Sequence, residues 1–297
     1  ATLSQTVHGS LDLNRAGTPL LEIVSEPDIR SAVEAHRYLE ELRLLMVYLG
    51  VSDCNMQEGS LRCDANVNLE LNNPAGEPIR TPIVEVKNLN SFRGVEEALS
   101  YEIDRQQREF DECDGDYPDN SKQTRGWDAD RGVTFAQRGK EDASDYRYFP
   151  DPDLPPVTFS DEYIASQRDG LCEPPAERRR RFTQQMGLSD YDARVLIDQG
   201  RETADYFEVV ARRCGDAKRA ANWVTQDVLR ELNERNETID EFAVDADGLA
   251  TLIELIGSGQ LTTRSAREVF AALANGDGGE GPVSEQIGRI VADRGLE

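Results

Sequence analysis

A strict two-residue alternation between residues 61 and 69 constrains the fold of this chain more than any other feature. Apolar or small side chains at every second position alternate with Arg62, Asp64, Asn66 and Asn68. This period is that of a β-strand with one face packed on a core and the other face open. Because Asp and Asn are poor strand formers, strand stability does not explain the polar face. The pattern therefore predicts a strand whose open face has a functional role.

A second strand is expected over residues 20–26, and Pro27 would end it. Along this segment Glu22, Val24 and Glu26 would share one face. Two carboxylates that project from one strand end suit a hard cation such as Mg²⁺, which prefers oxygen ligands.

A third polar face is expected on a strand that begins near Ile83. Glu85 and Lys87 share a face there, and Asn88 and Asn90 follow. Carboxylates for a metal together with Arg and Lys for phosphate are a suitable set for phosphoryl transfer, which needs charge neutralisation more than a nucleophile. The alternative, a solvated polar face with incidental ion pairs, fits the pattern equally well. Lys87 favours the functional interpretation because only four of the 33 basic residues are lysines.

The remaining chemistry-bearing residues indicate no other catalytic system. His36 is interpreted as a structural histidine on an amphipathic helix, and His8 has no assigned role. The five cysteines are scattered, which favours reduced thiols in a cytoplasm over disulfides or a structural zinc. The run 178–181 of four arginines is interpreted as a solvated helix face rather than a nucleic-acid contact. No membrane span or signal peptide is expected.

The net charge of −24 is spread along the chain rather than concentrated in a tail. We interpret it as adaptation to a salty cytoplasm, where carboxylates keep the surface hydrated and salt screens their repulsion. The charge therefore does not argue against a nucleic-acid partner.

The pattern of elements predicts an α+β fold, with a mixed domain over residues 1–156 and an all-helical domain over 157–297. The proline-rich stretch 150–156 marks the boundary. A helix is expected from Ser31 to Gly50, with Ala35, Leu39, Leu42, Met46 and Leu49 as its buried face. Further strands are expected at 61–69, 83–86, 132–137 and 145–149, and further helices at 91–110, 174–187, 203–213, 219–233, 247–257 and 265–274.

Several long motifs resemble those of the B subunits of aspartyl/glutamyl-tRNA(Asn/Gln) amidotransferases. The resemblance rests on DLNRAGTPLLEIVSEPDIR at 12–30, EGSLRCDAN at 58–66, EVKNLNSF at 85–92, TRGWD at 124–128 and DYRYFPDPDL at 145–154. Shorter matches at 51–54, 191–193 and 221–223 extend it over almost the whole chain.

The resemblance implies an enzyme that uses ATP and Mg²⁺ to phosphorylate the side-chain carboxylate of misacylated Glu-tRNA(Gln) or Asp-tRNA(Asn). Ammonia released from glutamine by an A subunit would then displace the phosphate, and a small C subunit would wrap the pair. The implied fold is a cradle-like catalytic domain, a helical domain and a tail domain that contacts the tRNA.

The resemblance also implies roles for the matching residues. Arg62 and Lys87 would be the catalytic pair that holds phosphate oxygens. Asn66, Asn88 and Asn90 would orient substrate or nucleotide, while Glu22 and Asp64 would bind the metal.

Three departures from the family pattern bear on activity. The opening part of the family's cradle domain, with its acidic Glu-Glu-Asp-Ala-Gly-Lys segment, has no counterpart here, and most of the tail domain is missing. Gln123 stands where Glu usually precedes Thr-Arg. The chain is therefore expected to be a fragment that does not catalyse the reaction alone.

Two alternatives compete with this interpretation. The archaeal E-type subunit carries an inserted domain and a different version of the 62–66 motif, and neither difference is found here. A non-catalytic tRNA-binding scaffold subunit is the alternative from another class, and Mg²⁺-dependent ATP binding would discriminate against it.

Overall fold

A computed structural model of the chain describes residues 18–113, 122–137 and 155–296. Its first part is built on a four-stranded sheet and a small hairpin. The strands are β1 (Cys63–Val67), β2 (Glu70–Asn72), β3 (Pro78–Arg80), β4 (Val84–Leu89), β5 (Gln123–Asp128) and β6 (Val133–Ala136). The sheet has the order β1-β4-β5-β6, in which only β4 and β5 run parallel, while β2 and β3 form the separate hairpin.

Two long helices, α1 (Ala32–Tyr48) and α2 (Phe92–Cys113), cover one face of the sheet. Ser31 caps α1 by accepting a hydrogen bond from the backbone N–H of Glu34, which agrees with the expected helix start. The sheet contributes Val84, Val86 and Trp127 to the shared core. The opposite face, here called the open face, carries exposed or partly exposed side chains among the described residues, such as Asp64, Asn66 and Lys87.

Helix α1 contributes to two cores along its length. Its first half packs Ala35 and Leu39 on the sheet, whereas its second half inserts Leu44 and Tyr48 into the core of the helical part. The Tyr48 hydroxyl donates to the backbone carbonyl of Ile197 at 2.9 Å. This helix therefore joins the sheet to the helical part of the chain.

The second part of the chain is helical throughout its described residues. The helices are α3 (Asp161–Asp169), α4 (Pro175–Gln184), α5 (Asp190–Asp198), α6 (Arg201–Cys214), α7 (Ala217–Trp223), α8 (Leu229–Arg235), α9 (Ala246–Gly257), α10 (Thr263–Ala274) and α11 (Val283–Arg294). A π-helical turn, Val224–Val228, joins α7 to α8. The core of this part includes Trp223. No helix in residues 18–113, 122–137 and 155–296 has the length and apolarity to cross a membrane.

The structure confirms the α+β class and corrects several elements. The strand expected over residues 20–26 is wrong: this segment pairs with no described strand, and its side chains are exposed. Without a partner strand, its alternation has no ladder to join. The hairpin β2–β3, strand β5 and helices α3, α5 and α11 were not predicted. His8 and the strand expected at 145–149 lie outside the described residues, and the domain boundary at 156 stays a prediction.

Candidate functional site

The candidate site is the open face of the sheet, on strands β1 and β4. Along β1 and its flanks Arg62, Asp64 and Asn66 are exposed, while the intervening residues are partly buried, as the alternation predicts. Strands β1 and β4 are antiparallel, and Asn66 lies opposite Glu85 in their register. The two polar strand faces predicted from sequence therefore form one continuous surface.

A β-bulge in β4 shapes this surface opposite Asp64. The pairing shifts by one residue, because Cys63 lies opposite Leu89 whereas Ala65 lies opposite Val86. The extra residue falls at positions 87–88, and Asn88 has the left-handed φ of 66°. Asparagine is one of the few side chains that tolerates this conformation. Bulges commonly redirect side chains next to functional sites, and this one lies directly after Lys87.

Lys87 lies between two carboxylates of the open face. Its ammonium is 3.0 Å from Glu85 Oε1 and 3.5 Å from Asp64 Oδ2. Asp64 and Lys87, which were assigned from different motifs, are therefore brought together. In the described structure the Asp64 carboxylate faces a cation, so a metal ion there would compete with Lys87 for its oxygens.

Lys122 completes the cluster from the start of β5. Its ammonium is 3.0 Å from Glu85 Oε2, the oxygen that Lys87 leaves free. Lys122 and Lys87 each donate a hydrogen bond to Glu85, and these bonds hold the pKa of Glu85 below its usual value, with Lys122 as the larger cause. The hydrogen bond that Lys87 donates to Glu85 in turn raises the pKa of Lys87. Glu85 and Lys87 are consequently both charged at neutral pH.

Lys122 was missed by the sequence analysis. The scarcity of lysine, which drew attention to Lys87, applies equally to Lys122. Sequence alone did not place Lys122 near the site because strand β5 was not predicted.

The other predicted site residues occupy less constrained positions. Arg62 and Asn90 are exposed, and neither has an ion pair or side-chain hydrogen bond with another described residue. Asn88 donates from Nδ2 to the backbone carbonyl of Trp127 at 2.9 Å, which leaves its Oδ1 for a ligand. The roles assigned to Arg62, Asn66, Asn88 and Asn90 stay predictions.

Glu22 is not brought to this cluster by any contact between described residues. It lies in the exposed segment before Pro27, outside the sheet. No group of three or more His, Cys, Asp or Glu side chains with metal-binding geometry occurs in the described part of the chain. Mg²⁺ is often held by one or two carboxylates together with water and phosphate, so Glu22 and Asp64 have suitable donor chemistry. Their role as metal ligands stays a prediction.

Cys63 is the thiol nearest to this cluster, and its environment argues against a nucleophilic role. It points to the core side of β1, next to Asp64 in sequence. Burial, with a smaller contribution from the Asp64 charge, raises the pKa of Cys63 to about 11. The thiol is therefore protonated at neutral pH, when a thiolate would be needed for attack.

A buried ionic network supports the covered face of the sheet beneath the site. Glu102 on α2 is fully buried and lies 3.1 Å from Arg125 of β5 and 3.0 Å from Arg105. Thr134 of β6 also donates to Glu102. A single helix carboxylate therefore connects α2 with the two strands at one side of the sheet.

Two polar features outside the candidate site have partners within the protein. His36 lies between α1 and α2, with its ring nitrogens 3.3 Å from Glu40 and 2.7 Å from Glu96. The expectation that the arginine run forms a solvated helix face is wrong for Arg178, which is buried and lies 2.5 Å from Asp205 and 2.8 Å from Glu208. Its partners are acidic side chains of the protein itself, because a buried guanidinium needs counter-charges.

Comparison with family models gives two matches that together include most of the chain. The model described as the GatB/GatE catalytic domain matches residues 2–165, and the model described as the GatB domain matches residues 205–297. The first match includes the whole sheet and the candidate site.

Curated relatives are similar over nearly the whole chain. A Rhodopirellula baltica protein, named as the B subunit of aspartyl/glutamyl-tRNA(Asn/Gln) amidotransferase, is 50% identical over 288 residues, which is 97% of this chain and 58% of that protein. Proteins of the same name from Crocosphaera subtropica and Chlorobium limicola are 45% and 47% identical over 96% of the chain. The chain spans 56–58% of the length of these three relatives.

Proposed function

Because the chain belongs to the GatB/GatE catalytic-domain family, we propose that the protein it represents is the B subunit of a glutamine-dependent tRNA amidotransferase. This protein would phosphorylate the side-chain carboxylate of Glu-tRNA(Gln) or Asp-tRNA(Asn) with ATP and convert it to the amide. The observation that carries the proposal is the cluster on the open sheet face, where Lys87 lies between Glu85 and Asp64. It combines cationic and anionic groups where the family match places a catalytic domain.

The proposed reaction has two steps. A carboxylate oxygen of the aminoacyl side chain attacks the γ-phosphorus of ATP, and ADP leaves to give an acyl phosphate. Ammonia then attacks the carbonyl carbon, the C–O bond to phosphate breaks, and loss of a proton leaves the amide. The first step is needed because a carboxylate without a leaving group is a poor acceptor for ammonia.

The residues of the open face would act mainly by electrostatics and positioning. Charge spread over the transferred phosphoryl oxygens calls for fixed cations, which Lys87 and Arg62 would supply. Asn66, Asn88 and Asn90 would orient the nucleotide or substrate through their amides. Mg²⁺, held by Glu22 and Asp64, would neutralise phosphate charge when bound.

The partners follow from the same proposal. An A subunit with glutaminase activity would release ammonia and channel it to the acyl phosphate, and a C subunit would stabilise the pair. The complex would act in the cytoplasm, where misacylated tRNA is made.

The decisive experiment uses the full-length protein co-expressed with its A and C subunits and assayed in high salt. Glu-tRNA(Gln) and Asp-tRNA(Asn) are supplied separately with glutamine, ATP and Mg²⁺, and the amidated aminoacyl-tRNA is quantified. We expect amide formation that requires ATP, Mg²⁺ and the B subunit. An intact complex that converts neither substrate would instead favour a non-catalytic tRNA-binding scaffold.

The metal assignment has its own test in the variant Glu22→Gln. This change keeps the size of the side chain but removes the charge that a divalent cation needs. We expect the Mg²⁺ concentration for half-maximal amidation to rise by about 10-fold or more, as for loss of a charged ligand. Unchanged ATP-dependent amidation at low Mg²⁺ would remove Glu22 from the metal site.

A further inference from the structure

Two lysines converge on one carboxylate at the open face of the sheet. Lys87 and Lys122 each lie 3.0 Å from Glu85, on different oxygens of the same carboxylate. Lys122 is brought there by the parallel pairing of β4 and β5, which begins with a hydrogen bond from the Gln123 N–H to the Ile83 carbonyl at 2.9 Å. The pairing thus places a second ammonium beside the first.

The composition of the chain makes this convergence informative. Only four of the 33 basic residues are lysines. Within the described residues, every ion pair formed by a lysine belongs to this cluster, whereas every other ion pair of a carboxylate is with arginine or, in two cases, with His36. An ordinary surface ion pair in this protein uses arginine, so lysine at both positions needs another explanation.

The chemistry of lysine supplies that explanation. Its ammonium is a compact point charge on a flexible stem, and it binds phosphate without the fixed fork geometry of arginine. Lys122 is 52% exposed and Lys87 is 41% exposed, so both ammoniums are reachable from solvent. An exposed ion pair with a single carboxylate is weak and can exchange for a more highly charged anion. Glu85 would then hold both lysines in place until phosphate arrives.

We propose that Lys122 is a second phosphate-binding residue of this site and that it acts with Lys87 on the β- and γ-phosphates of ATP. This inference rests on the proposed function, because ATP is the ligand that the proposed reaction supplies. It adds a residue that the matching motifs do not assign and explains why two lysines share one carboxylate.

The test measures nucleotide affinity in the full-length protein, purified in complex with its A and C subunits at one fixed salt and Mg²⁺ concentration. Equilibrium Kd values for ATP and for AMP are compared between wild type, Lys122→Gln and Lys122→Arg. Lys218→Gln is the matched control, since Lys218 is an exposed lysine of α7 without an ion pair to any described residue.

We expect Lys122→Gln to raise the Kd for ATP by about 10-fold or more, as for the loss of one charged hydrogen bond. The Kd for AMP should stay unchanged, because AMP lacks the two phosphates that Lys122 would contact. Lys122→Arg should restore only part of the ATP affinity, and Lys218→Gln should match wild type.

Two results would overturn the inference while leaving the proposed function intact. One is wild-type ATP affinity in Lys122→Gln. The other is an equal loss of ATP and AMP affinity, which would indicate damage to the fold or to the adenosine site. A wild-type complex that bound no ATP would remove the proposed function, and this inference with it.

Discussion

The side-chain amide of Asn88 on β4 donates to the backbone carbonyl of Trp127 on β5 at 2.9 Å. This bond crosses the parallel strand pair immediately after Lys87 pairs with Gly126. Asn88 is also the residue at which β4 bulges against β1, with a φ of 66°. One side chain therefore fixes both the bulge and the neighbouring strand, and together they set the direction of Lys87.

Two substitutions of Asn88 should separate the contribution of its hydrogen bond from the contribution of its left-handed backbone conformation to stability. Asn88→Gly keeps the left-handed conformation without strain but loses the hydrogen bond, at a cost of about 1 kcal/mol. Asn88→Ala loses the bond and also replaces Asn, which tolerates positive φ, with a residue that adopts it only at a cost, for a total of about 2 kcal/mol. Urea unfolding of the two variants checks this order. Equal costs would mean that the backbone conformation at position 88 is not strained.

The buried carboxylate of Glu102 should be far more important to stability than an exposed carboxylate of the same helix. Removing it by Glu102→Gln leaves the Arg105 and Arg125 guanidiniums without their buried counter-charge. Breaking a buried ion pair in this way costs about 3–5 kcal/mol.

Glu97→Gln is the matched control, because Glu97 is also on α2 and pairs with Arg93 at 2.7 Å on the surface. Exposed pairs four residues apart contribute only about 0.3–0.5 kcal/mol. Denaturant midpoints of both variants test the comparison. A loss below about 1 kcal/mol in Glu102→Gln would mean that water or other groups satisfy the two arginines.

Local sequence patterns predicted the first strand of the site but not its neighbour. The alternation over residues 61–69 is a property of one segment, and it correctly gave the exposed face of β1. Strand β5 does not show such a pattern. Arg125 points to the covered side because Glu102 neutralises it there, and Gly126 contributes no side chain to the open face. The buried partner of Arg125 is remote in sequence, so periodicity could not reveal it.

Helix α1 shows the same limit in a different form. Its expected buried face was right for Ala35 and Leu39 but wrong for Leu42, Met46 and Leu49, which are only partly buried. In the second half of the helix the buried positions move to Leu44 and Tyr48. The second half of α1 packs on the helical part of the chain with a different face from the one that packs on the sheet. A single apolar stripe along the helix therefore cannot predict both contacts.

The arginine run offers a direct comparison between structural and nucleic-acid roles. Arg178→Gln should destabilise the protein by about 1.5–3 kcal/mol, because it removes the charged hydrogen bonds that Arg178 donates to Asp205 and Glu208. The cost stays in this range because Arg181 still pairs with Glu208 and Arg201 still pairs with Asp205. Arg180 is exposed and forms no ion pair with a described residue, so Arg180→Gln should have no measurable effect on stability.

The same two variants test tRNA binding in the full-length complex. We expect both to bind tRNA with wild-type affinity, as measured by filter binding at fixed salt. A weakened affinity in Arg180→Gln, with unchanged stability, would show that the run contacts phosphates instead.

The buried hydroxyl of Tyr48 should make stability depend on pH above about 10. Burial raises the pKa of Tyr48 well above that of an exposed tyrosine. Below pH 10 the folded and unfolded chains both hold the proton, so this contribution is constant. Above pH 10 only the unfolded chain loses it, and stability should fall by about 1.4 kcal/mol per pH unit for each such tyrosine.

Tyr48→Phe should remove the contribution of Tyr48 to the slope of the unfolding free energy against pH. Tyr206, whose pKa is also raised by burial, should still contribute to that slope. At neutral pH the same variant should lower the free energy of unfolding by about 1–2 kcal/mol, because the carbonyls of Ile197 and Gly200 lose their donor.

The control Tyr191→Phe changes an exposed hydroxyl and should leave both the pH slope and the free energy of unfolding at neutral pH unchanged. Unfolding free energies between pH 8 and 11 in steps of about half a unit resolve the difference, since each tyrosine changes the slope by about 1.4 kcal/mol per unit. A wild-type slope in Tyr48→Phe would mean that Tyr48 ionises in the folded protein as readily as in the unfolded chain.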